Sequence, residues 1–128
     1  MDVMAELQPI GALYSAGAFR EGLAKLQLLW AAVPEPKPET LNAYLIVEYG
    51  VAFALQENDV DQAQEWADRA PGFEAKRQDM GEVEFLIGRV AFARGDLDNA
   101  REQFRIANAK SEGRAFIGKD ERYKMLIR

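Results

Sequence analysis

Apolar positions recur along this chain at intervals of three and four, the spacing that keeps one face of an α-helix apolar. Phe19, Leu23, Leu26 and Trp30 make one such stripe, and Tyr123, Leu126 and Ile127 make another. Segments with strand-like alternation are scarce. The pattern predicts helices over residues 3–16, 19–32, 41–57, 60–69, 75–94, 97–110 and 119–127. Gly17, Asn58 and Gly95 tolerate the left-handed backbone that ends a helix, and a new helical stretch begins two residues after each. The segment "PEPKPE", residues 34–39, stops the second stretch, because proline removes an amide donor and favours extended backbone. Thr40 is placed to N-cap the third helix. "SEGRAFIG", residues 111–118, reads as a loop.

Two breaks sit in matching surroundings, "LQENDVDQA" at residues 55–63 and "ARGDLDNA" at residues 93–100. In each, the break is followed by an acid, an aliphatic, an acid, a polar residue and an alanine. Five residues after the three breaks stand Gly22, Ala63 and Ala100, small enough for two helices to approach closely. The pattern therefore predicts one domain over residues 1–128, an all-α superhelical stack of three antiparallel helical hairpins. The hairpins span about 3–32, 41–70 and 75–110, and residues 111–128 form a loop and a C-terminal capping helix. A single hairpin cannot bury its apolar face, whereas three stacked ones share a continuous core.

This organisation resembles the tetratricopeptide repeat, a two-helix unit of about 34 residues. The resemblance is clearest in "EVEFLIGRVAFARGDLDNAREQFRIA", residues 82–107. There Ile87-Gly88 stand at the family's Leu-Gly pair and Gly95-Asp96 at its turn. Ala100 and Ala107 stand at its small contacts, and Phe104 at its aromatic. Ala91 replaces the usual tyrosine. The second copy keeps Ala63, Ala70 and Pro71, with Gly50 one place early; the first keeps Gly17, Phe19, Gly22 and Leu26.

In this family the first helix of each repeat lines a concave groove that binds other proteins. The resemblance places Met4, Leu7, Gly11 and Tyr14 there from the first repeat, and Leu45, Glu48, Ala52 and Leu55 from the second. The third supplies Glu82, Phe85, Arg89 and Phe92. Among the positions where some members clamp a partner's C-terminal carboxylates, Arg89 alone carries a suitable charge, which disfavours that mode. Tyr14, Phe85 and Phe92 are the implied aromatic anchors, with plain core packing as the alternative for each.

Composition narrows the chemistry. The 128 residues are 48% hydrophobic and 29% charged, a globular balance, with no cysteine and no histidine. Disulfides and Ser-His or Cys-His nucleophiles are thereby excluded, and the preferred transition-metal ligands are missing. The opening "MDVMAELQPI" lacks the basic and apolar regions of a signal peptide, and no apolar run is long enough to span a bilayer. The expected location is the cytoplasm. Residues 1–70 hold 11 acids against 4 bases, and residues 71–128 hold 10 against 12. Seven acids and no base fall between Pro38 and Asp68. That run repels nucleic acid and suits a partner with a basic surface, although acid excess also serves solubility alone.

Other motifs lead nowhere. "GRAFIGKD", residues 113–120, fits the phosphate-binding loop at Gly113, Gly118 and Lys119, but Asp120 replaces the required hydroxyl. Phe116 and Ile117 are instead expected to dock on the helices. Arg94-Gly95-Asp96 reads as a hairpin turn. Asp59 and Asp61 read as helix-start acids, and Glu82 and Glu84 point apart on a helix. The reading that results is a non-enzymatic protein-binding module without catalytic residues, metal or cofactor. Tyr14, Glu48, Glu57, Phe85, Arg89 and Phe92 are its candidate partner-binding residues. An immunity protein that covers a toxin's basic active site fits this reading. A self-associating scaffold and a secretion or assembly chaperone are the alternatives.

Overall fold

The computed structural model describes residues 1–77 and 80–128. The protein is all-α, and no strand occurs among the described residues. The main helices are α1 (Val3–Ser15), α2 (Phe19–Ala32), α3 (Ala43–Gln56) and α4 (Val60–Ala67). After them come α5 (Glu74–Arg77), α6 (Glu82–Arg94), α7 (Leu97–Ser111) and α8 (Glu121–Leu126). Among the described residues no helix is long and apolar enough to cross a membrane. Two compact units form, Met1–Trp66 and Ala67–Arg128.

The breaks read from the sequence are the breaks in the backbone. Gly17, Asn58 and Gly95 have φ of 75°, 56° and 82°, the left-handed region. The acid after each of the last two breaks caps the next helix. Asp59 Oδ1 accepts from the Gln62 amide at 3.0 Å, and Asp96 Oδ1 from the Asn99 amide at 3.3 Å. Asp2 does the same for α1, accepting from the Ala5 amide at 3.1 Å. The C-terminus of α2 is closed by the proline segment, where Lys37 Nζ donates to the carbonyls of Trp30 and Val33, both at 2.8 Å.

Two expectations need correction. Thr40 is not the N-cap of α3. Its carbonyl closes a turn with the Ala43 amide at 3.1 Å, and the helix starts after Asn42, which takes φ 67°. Asparagine tolerates that conformation where threonine, β-branched, does not. The helix expected over 75–94 is also interrupted, by Gly81 at φ 73°, so that α6 begins at Glu82. A Cβ at Gly81 would stand 2.7 Å from the Ala107 carbonyl oxygen, so the residue supplies both a left-handed turn and a close approach to α7. Residues 78 and 79 of that expected helix lie outside the described residues.

In the first unit, α2 packs against both α1 and α3. Leu7, Leu26, Ile46, Val47, Val51, Phe53 and Trp66 are buried there. In the second unit α6 packs on α7, with Val83, Leu86, Val90, Ala100, Phe104 and Ala107 buried. One contact occurs in both units. Gly50 on α3 lies under the Trp66 ring of α4, and Gly88 on α6 lies under the Phe104 ring of α7; ring and glycine are 16 residues apart in each case. A methyl group at Gly88 would stand 2.6 Å from Phe104 Cδ1, and one at Gly50 would overlap the indole. Gly22 on α2 relates to the Phe53 ring in the same way.

Candidate functional site

The last turn of α1 and the middle of α3 enclose an apolar cleft of about 270 Å³, lined by Gly11, Tyr14, Tyr49, Ala52 and Phe53. Its wall is built by rings. Tyr14 meets Phe53 edge-on with centroids 5.2 Å apart, and Phe19 edge-on at 5.3 Å. Tyr49 and Phe53, four apart on α3 and hence on one face, stack at 6.4 Å. Such offset and edge-on pairs fix ring positions beyond what apolar burial alone would do. Tyr14 is 37% exposed, and its hydroxyl accepts from Gln56 Nε2 at 3.0 Å at the rim. At Gly11 an added Cβ would meet nothing within 4 Å, so this glycine leaves room in the cleft rather than admitting a neighbouring helix.

The other candidate residues divide between settings. Glu48 is half-buried on α3, one turn before Ala52. Glu57 closes the far end of α3, where its carboxylate meets Arg20 Nε at 3.4 Å. With Arg20, Leu23, Ala24, Gln27, Asp59 and Gln62 it lines a separate cavity of mixed polarity, about 360 Å³. The Arg20 side chain is 89% exposed, so that ion pair is a solvated one of small energetic weight.

In the second unit Phe85 is a core residue, 6% exposed, and offers a partner almost no surface. Its ring packs on Phe104, Phe116 and Tyr123 at 5.4, 5.1 and 5.8 Å. The core-packing alternative therefore holds at this position. Phe92 is half-buried, with the Tyr123 ring edge-on at 5.2 Å and the Arg122 guanidinium over its face at 5.3 Å. Helix α8 thus covers much of it. Arg89 stands half-buried on α6, three residues before Phe92. The loop 111–118 holds a 3-10 turn over Arg114–Phe116, in which Phe116 docks as expected while Ile117 is 74% exposed.

Two charge clusters also lie in the second unit. Lys110 Nζ donates to Glu74 Oε1 at 2.8 Å and to Glu84 Oε1, and Glu84 is 7% exposed. The Lys110 hydrogen bond holds the Glu74 carboxyl below its ordinary value, and the two carboxylates raise Lys110. Asp120 caps α8, accepting from the Arg122 amide at 2.9 Å and from its guanidinium at 2.7 Å. That charged hydrogen bond lowers the Asp120 carboxyl to about 2.

Sequence reasoning missed Tyr49 and Phe53. Their spacing of four was visible, but the family register named their neighbours Glu48 and Ala52 instead. The inward turn of Glu84 toward a lysine 26 residues later had no local signal. Comparison with protein-family models, curated proteins and solved structures finds no match in any of the three.

Proposed function

We propose that this chain is a non-enzymatic protein-binding module built from three tetratricopeptide-like hairpins, with the α1/α3 cleft as the seat for an apolar side chain of its partner. One observation carries the reading. The cleft lining is two tyrosines, a phenylalanine, an alanine and a glycine, and the Tyr14 hydroxyl accepts from Gln56 Nε2. A desolvated aromatic pocket with a hydrogen-bonding edge is the usual form of a binding hot spot. The glycine-under-ring contact supports the hairpin repeat, because in both units a helix glycine meets a ring 16 residues later on the next helix.

The charge supports a basic partner. Residues 1–66, the unit that holds the cleft, carry 10 acids and 3 bases, and Asp61 and Glu65 are exposed on one face of α4. A toxin neutralised by its immunity protein is one form such a partner takes.

The test is capture from a cell extract on immobilised protein, read by mass spectrometry, beside a Gly11→Leu variant. Gly11 faces open space, so leucine fills the cleft without displacing a neighbour. A partner retained by the native chain and lost with Gly11→Leu supports the reading. A partner bound equally by both places recognition elsewhere.

A further inference from the structure

Helix α8 is held to the second unit by few attachments. Its 6 residues are too few to sustain a helix in water, so its form depends on what it rests against. None of them is fully buried. Tyr123 and Leu126, with Ile127 just past the helix end, are half-buried, and at i, i+3 and i+4 they share one face. These three pack on the cluster of Phe85, Phe104 and Phe116. The ion pairs of α8 stay within its own segment, Arg122 with Asp120 at 2.7 Å and Arg128 with Glu121 at 2.9 Å. Among the described residues two polar contacts tie it to α6 and α7. Arg101 Nε donates to the Leu126 carbonyl at 3.2 Å, and the Arg122 guanidinium lies over the Phe92 ring. The link from Phe116, residues 117–120, is exposed throughout, and Gly118 turns it at φ 75° with open space at its Cβ position. Undocking α8 breaks no ion pair among the described residues and swings on an unpacked hinge.

We infer that α8 is a displaceable strap over a second docking surface, and that its rival is a partner helix carrying an aromatic and two aliphatics at the spacing of Tyr123, Leu126 and Ile127. The seat is the face of α6 that carries Phe85 and Phe92, seven residues apart, together with Phe104 of α7. The Tyr123 ring touches all three, at 5.8, 5.2 and 5.1 Å. The present occupant thus defines the pattern that fits. A short tether keeps α8 beside its seat at an effective concentration of about 1 mM. A rival helix overcomes that advantage because half-buried side chains and self-contained ion pairs give α8 little hold of its own. Once α8 leaves, Phe92 and the rings beside it meet water, and an incoming helix with the same stripe covers them again.

The experiment takes two readouts on the full chain. Hydrogen exchange, followed by NMR, compares the Ile127 amide, bonded to the Lys124 carbonyl at 3.2 Å, with amides in the middle of α6 and α7. The Ile127 amide exchanges about a hundredfold faster or more, because α8 opens without the rest. Equal protection overturns the inference, since α8 then leaves only when the whole fold does. The second readout is fluorescence anisotropy of a dye-labelled synthetic peptide of residues 117–128 at physiological salt. Tyr123→Ala loosens the chain's own strap and leaves the seat intact, so this variant binds the peptide about tenfold more tightly than the native chain, or better. Circular dichroism verifies the fold, and Ile127→Ser serves if Tyr123→Ala misfolds. Adding Phe92→Ala to the loosened variant abolishes the gain. Adding Gly11→Leu preserves it, because the α1/α3 cleft is not the seat. A loosened strap with no gain in peptide binding overturns the inference, as does a gain that survives Phe92→Ala or disappears with Gly11→Leu.

Discussion

At Gly81 two demands meet in one residue. Its φ of 73° strains any side chain, and the space a Cβ would fill is held by the Ala107 carbonyl. Gly81→Ala should therefore destabilise the fold by about 1–3 kcal/mol, read as a lowered midpoint in urea unfolding. Gly11 is the contrasting case, a mid-helix glycine with open space where its side chain would be. Gly11→Ala should stabilise by up to about 1 kcal/mol, since alanine forfeits less chain entropy in a helix. Titration separates the charged residues in the same way. Asp120, lowered to about 2, contributes stability that is complete above its unfolded value near 4 and is lost as pH falls through 2. Its carboxyl carbon, followed by NMR, should titrate near that lower value. Glu74 is lowered, so its contribution is lost as pH falls below its ordinary 4.5 and through its depressed folded value. Lys110 is raised, so its contribution is complete below 10.5 and is lost as pH rises through its still higher folded value. Lys110→Met should abolish the Glu74 depression, which the same NMR titration measures.

Between helices, size decides. Ala100 is fully buried on α7, and Ala100→Leu should cost about 1–3 kcal/mol by overpacking. Phe85→Ala empties the centre of a ring cluster and should cost about 3–5 kcal/mol in thermal or urea unfolding. An unchanged stability in either variant would contradict the packing described. The elements themselves were largely legible, because helix stops depend on local chemistry: glycine, asparagine and the acids after them act within one turn. Gly81 was not, since a single glycine before α6 looks like any mid-helix glycine until Ala107, distant in sequence, demands it. The cleft was half legible. The groove positions implied by the tetratricopeptide resemblance included Gly11, Tyr14 and Ala52, but whether a ring lines a wall or fills the core depends on what packs behind it. Tyr14 has Phe19 and Phe53 behind it and an open front; Phe85 is enclosed by Phe104, Phe116 and Tyr123.

Across the whole chain, charge is divided unequally. Residues 1–66 hold 10 acids and 3 bases, and residues 67–128 hold 11 and 13. An acidic surface steers a basic partner and so acts mainly on association, fading as salt shortens the screening length to about 8 Å at physiological strength. Glu48→Lys with Glu57→Lys should slow association several-fold at low salt and have little effect at high salt, measured by surface plasmon resonance with the captured partner. An association rate indifferent to both would leave the acids as a solubilising surface. The glycine-under-ring contacts bear on how such a chain diverges over generations. At Gly88 a methyl group collides with Phe104 while the ring is in place, so the first step in drift is open only at the ring. Once Phe104 has become a smaller aliphatic, alanine at Gly88 refills the space and blocks the return of phenylalanine. Each pair is a ratchet, and descendants should carry either the glycine with its ring or a larger residue with a smaller partner, and rarely a mixture.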